Sequence, residues 1–143
     1  EAMKATSNMT ATKFRTAEDK EKALRAFKSF LQRGCPESGF TKSLYDYASS
    51  MYGHIAHCSR QEYYEEWFAG PDKVAAWMDW ALRYMTVGSP ACTLSDVERA
   101  LQDWIRESGI RDKYETEANA ALEQAERAEL ARLQAKYEPR MEA

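Results

Sequence analysis

PDKVAAWMDWALRYMT, residues 71–86, carries an apolar face at helical spacing along its whole length. At 100° per residue Val74, Trp77, Met78, Ala81, Leu82 and Met85 fall on one side and Trp80 and Tyr84 widen it, while Lys73, Asp79 and Arg83 stay polar along the middle. Pro71 suits the first helical position, where its missing N–H would have had no partner. So broad an apolar face needs neighbours on several sides, and it predicts the central helix of an all-α bundle.

The rest of the chain supports that class. Val and Ile number three each against 22 Ala and nine Leu, so residues that fill pleated strands are scarce and helix formers abound. Upstream, Thr16 stands three residues before Asp19, the spacing of a capping box, and opens a helix to about Arg33 with Ala23, Leu24, Phe27, Phe30 and Leu31 inward. Gly34 and Pro36 then stop it. A second helix, about Thr41 to Cys58, aligns Leu44, Ala48, Met51, Tyr52, Ile55 and Cys58. Ser59 with Glu62 forms another capping box and opens a short third helix bearing Tyr63, Tyr64, Trp67 and Phe68.

Downstream, Ser95 and Glu98 repeat the capping-box spacing before a fifth helix with Val97, Ala100, Leu101, Trp104 and Ile105 inward, ended by Gly109. Asp112 and Glu115 start a last helix that should run to about Tyr137, just before Pro139, with a tail leaving the globule. Its apolar face is split: Tyr114, Ala118, Ala121 and Ala125 lie on one strip, and Leu122, Leu130, Leu133 and Tyr137 on another about a quarter turn away. Two partners are therefore expected, one being the core. The other is open, and a homodimer through this helix is one choice. Strict heptads are not sustained, so it is not read as a coiled coil. The expected organisation is a flexible basic arm over residues 1–15, a helical core domain over 16–110, and the long helix over 111–143.

With 143 residues and a net charge of -3 the chain can bury an adequate single core, and no disulfide or metal staple is required. A mean hydropathy of -0.70 and short apolar runs predict neither a membrane span nor a signal peptide. Cys35, Cys58 and Cys92 are odd in number and lack a C-x-x-C pair, which suits reduced thiols in the cytoplasm.

Chemical motifs are few. His54, His57 and Cys58 have helical spacing but point in different directions around it, so no metal site is expected, and a hydrogen-bonded His54 beside a solvated His57 is the preferred reading. Cys58 near His54, or Cys92 before a helix start, lacks an orienting third group for nucleophilic catalysis. Glycine-rich phosphate loops and the G-x-S-x-G elbow are absent. No catalytic residue and no cofactor are assigned.

Aromatic density stands out, since eleven of 17 aromatic residues lie between Phe40 and Tyr84. Trp67, Trp77 and Tyr52 sit in mid-stripe and read as core. Tyr64, Phe68, Trp80 and Tyr84 sit at stripe margins and are the first choice for a protein-docking patch, with the Leu130, Leu133 and Tyr137 strip as the second. The first 33 residues carry eight Lys/Arg and four Asp/Glu, so Lys13, Arg15, Lys20, Lys22, Arg25 and Lys28 offer an alternative, contact with nucleic-acid phosphates. The interleaved acids and a pI near 5.5 favour a solvated face instead.

The functional expectation is a small non-enzymatic binding or regulatory protein, of adaptor or inhibitor type, that docks on another protein; inhibitors and adaptors of phages and mobile elements fit this description, and so do housekeeping subunits. A nucleic-acid accessory ranks second and an enzyme with an unrecognised site third. Circular dichroism should show a helix-dominated spectrum; three or more strands of sheet would overturn the fold class.

Overall fold

The computed structural model describes residues 9–52, 58–84 and 87–142, of which 139–142 in backbone only. The described residues form six α-helices, a single 3-10 turn at Glu37–Gly39 and no strand. In chain order the helices are α1 (Ala17–Gln32), α2 (Lys42–Met51), α3 (Arg60–Trp67), α4 (Pro71–Arg83), α5 (Ser95–Ser108) and α6 (Ile110–Glu142). None is long and apolar enough to cross a membrane.

Two of the three expected capping boxes are present. The Asp19 N–H donates to the Thr16 hydroxyl at 3.0 Å and the Thr16 N–H to Asp19 at 3.2 Å, and Ser59 and Glu62 exchange the same pair at 3.1 and 2.9 Å. The third does not form. Leu94, one residue early, is the N-cap of α5, Ser95 donates instead to the Gly88 carbonyl, and Glu98 is buried. Tertiary partners outcompete the local motif there. At the end of α1, Gly34 adopts φ 87° and its N–H bonds Leu31, while the Cys35 N–H reaches back to the Phe30 carbonyl; this pair of bonds makes a Schellman stop. Cys35 is itself left-handed, at φ 54°.

Three boundaries differ from expectation. α2 ends at Met51 with Tyr52 as its C-cap, and residues 53–57 of its expected span, with Ile55, lie outside the described residues. α4 ends at Arg83, because Tyr84 turns extended and Gln102 of α5 donates to the freed carbonyls of Ala81 and Tyr84. α6 starts at Ile110, directly after left-handed Gly109, and passes through Pro139 to Glu142. A proline so near a helix end removes one hydrogen bond from a turn that few others depend on.

The expected α1 face is buried in full, as are Leu44, Ala48, Met51, Val74, Trp77, Met78, Ala81, Val97, Leu101 and Ile105. α4 packs against α3, α5 and the first turns of α6, while α1 packs on α2 and α5. Trp77 lies at the centre. Its indole is stacked with Phe27 at 6.2 Å, meets Phe68 at 5.2 Å and Tyr52 edge-on at 6.1 Å, and donates its N–H to the Tyr63 hydroxyl at 3.0 Å. Trp77→Ala therefore removes a filled volume and strands a buried hydroxyl, and is expected to cost about 3–5 kcal/mol in chemical denaturation. A loss below about 1 kcal/mol would contradict the assignment of Trp77 as the packing centre.

Candidate protein-docking surface

The aromatic patch expected from Tyr64, Phe68, Trp80 and Tyr84 does not form. Phe68 is buried between Phe30, Phe40 and Trp77, and Tyr64 is buried with its hydroxyl donating to the Cys35 carbonyl at 2.7 Å. Trp80 and Tyr84 are half-buried, lying 4.9 and 5.3 Å from the Tyr52 ring. The two pairs pack on different rings, so equal i, i+4 spacing does not make one surface of them. Tyr52 is buried, and its hydroxyl has no hydrogen-bond partner among the described residues.

The second set is exposed. Tyr114 is the last buried residue of α6: its hydroxyl donates to the Leu31 carbonyl at 2.5 Å and Arg111 forms a bidentate pair with Asp79 of α4, both bonds 2.9 Å. Beyond this anchor Ala118 is half-buried and residues 119–138 are all exposed. Leu122 (58 % exposed), Leu130 (56 %), Leu133 (37 %) and Tyr137 (47 %) thus form a strip on a helix with no neighbour among the described residues. Single exposed leucines are ordinary, but four large apolar side chains on one side of a projecting helix are the usual mark of a contact surface. Seven alanines between 118 and 135 keep this segment helical, assisted by the Glu123–Arg127 and Glu129–Arg132 pairs.

The basic residues are not an open set. Lys20 is fully buried, with its ammonium 3.0 Å from both Asp96 carboxylate oxygens and 2.7 Å from the Pro90 carbonyl. Drawing it out to a phosphate would strand Asp96, and breaking a buried pair costs about 3–5 kcal/mol, more than an exposed phosphate contact returns. Arg15 lies over the Tyr47 ring and donates to Ser50, and Lys28 lies over Trp104. Lys13, Lys22 and Arg25 are exposed. The described part of the arm is docked, contrary to expectation: Met9 is buried, the Thr10 N–H donates to Asp96 and the Lys13 N–H to the Ala91 carbonyl.

Between α1 and α5 runs a cleft of about 420 Å³ lined by Met9, Leu24, Lys28, Arg99, Asp103 and Trp104. Sequence reasoning missed it, because Trp104 reads as core but is half-buried and lines the cleft. His54 and His57 lie outside the described residues. Among the described residues no three His, Cys, Asp or Glu side chains are grouped as a metal site. Cys58 is half-buried and accepts the Tyr45 hydroxyl on its carbonyl, and Cys92 is exposed. Comparison with protein-family models, curated proteins and solved structures yields no match.

Cys35 is buried 3.4 Å from the Tyr114 hydroxyl. Burial pushes the thiol up to about 12 against a modest opposing effect of Tyr114. A raised pKa means that the folded state holds this proton more tightly, so stability is intact below the ordinary value of 9.0 and declines as pH rises from there toward about 12. In the native protein iodoacetamide at pH 8 should therefore label Cys92 and leave Cys35 unmodified by mass spectrometry. Rapid Cys35 labelling without unfolding would contradict this burial.

Proposed function

We propose that this chain is a non-enzymatic helical binding or regulatory protein, of adaptor or inhibitor type, that engages a protein partner through the projecting half of α6. The observation that carries the reading is the strip of Leu122, Leu130, Leu133 and Tyr137, held out on a helix whose base is fixed to the core by Tyr114 and the Arg111–Asp79 pair. The anchor and the strip have separate tasks. A helix presented in advance of binding avoids the ordering cost that a disordered segment meets when it docks. The unpaired thiols of Cys35, Cys58 and Cys92 suit a reducing compartment, and a cytoplasmic location belongs to the proposal.

The test is affinity capture from cell lysate followed by quantitative mass spectrometry, comparing the wild type with Leu130→Glu and Leu133→Glu. Both positions are solvent-exposed, so the melting temperature should stay within about two degrees. Specific capture should fall tenfold or more, the loss of about 1.4 kcal/mol or above that a contact anchor shows. Undiminished capture by both variants would remove the strip from the interface.

A further inference from the structure

Resting on the reading of α6 as a docking helix, we propose that the occupant of its strip is a second copy of this chain, bound antiparallel along the projecting half. The charge order of the helix carries the inference. Residues 115–126 contain Glu115, Glu117, Glu123 and Glu126 and no Lys or Arg; residues 127–142 contain Arg127, Arg132, Lys136 and Arg140 against Glu129, Glu138 and Glu142. The net charges are -4 and +1. A parallel pair would set the two acidic halves side by side, and an antiparallel pair sets each acidic half against the half that holds every base.

The helix dipole does not account for this order. It favours acids at the start and bases at the end, but only within the first and last turn, and the change of sign after Glu126 lies about four turns from either end.

Register follows from the same residues. With the crossing placed between Leu130 and Ala131, Glu129 comes level with Arg132 of the second copy and Glu126 within one residue of its Lys136. Leu130 lies one residue from its counterpart at the centre, Leu133 comes within two residues of Leu130 of the second copy, and Tyr137 within two residues of its Leu122. The overlap spans about 24 residues, or about 36 Å, and the tip of each helix stops close to Ala118, where burial in the globule begins. The two globules then sit at opposite ends and do not collide. The intrahelical pairs Glu123–Arg127 and Glu129–Arg132 are solvent-exposed and therefore weak, so they do not hold the charges back from a partner. Four apolar side chains per copy place the contact at the small end of stable interfaces, and a weak dimer in the micromolar range is the expected outcome.

Sedimentation velocity on the full chain from about 1 to about 300 µM should show a monomer passing to a dimer, with Leu130→Glu holding the monomer at every concentration while its circular dichroism is unchanged. Direction is read by carbodiimide cross-linking of an equimolar mixture of unlabelled and 15N-labelled protein. Mixed-isotope links from Lys136 to Glu123 or Glu126 are expected, whereas mixed links from Lys136 to Glu129 or Glu138 alone would mean a parallel pair and overturn the proposal. A monomer throughout the range also overturns it. If Leu130→Glu then still abolishes lysate capture, the docking reading stands with a different occupant, and if the substitution changes neither mass nor capture, both fall together.

Discussion

The packing of this molecule depends on the indole of Trp77. Rings from α1, from the residue closing α2 and from both ends of α3 converge on it, and its N–H is committed to Tyr63. A helix of 13 residues has little stability of its own; α4 exists because this side chain and its neighbours give four helices a common surface. The Tyr63 hydroxyl has to be where the indole can reach it, which fixes α3 in rotation as well as position. Burial also raises the Tyr63 phenol well above its usual range, so the contact stays neutral and intact at ordinary pH.

What could be read from the sequence was whatever local chemistry alone determines. Thr16 and Ser59 cap as expected since their partners lie three residues away and no tertiary group competes. Ser95 has the same spacing and fails, because Asp96 is held by Lys20, far away in sequence, and the Ser95 hydroxyl finds Gly88 across a turn. Helical phase identified the buried face of α1 and, in α4, Val74, Trp77, Met78 and Ala81, while Leu82 is half-buried and Met85 lies outside the described residues; it could not rank the margins. Tyr64 and Phe68 look peripheral on a helical wheel, and are core because α1 and the segment around Phe40 close over them.

Lys20 is the clearest case of a residue whose type misleads. Counted as part of a basic face, it is instead the most deeply buried charge among the described residues, satisfied by a carboxylate and a carbonyl. The described part of the arm before it is docked for the same reason, since Asp96 accepts from Thr10 as well. The candidate site fared in the opposite way. The Leu130, Leu133 and Tyr137 strip was legible as one of two faces on the last helix, because Ala-rich sequence states its phase plainly, but only the fold reveals that the alanine face meets the core near Ala118 and the leucine face meets solvent.

The anchoring of α6 at one end only has a consequence for how its backbone behaves. Opening of a helix costs little where no tertiary contact must be broken, so amide protons should exchange slowly up to Tyr114 and progressively faster toward the tip. The globule and the rod are then separate cooperative units: the rod can fray and re-form many times without disturbing the core. Anything bound to it would register first as a gain in amide protection along residues 119–138, well before any change in the unfolding of the globule.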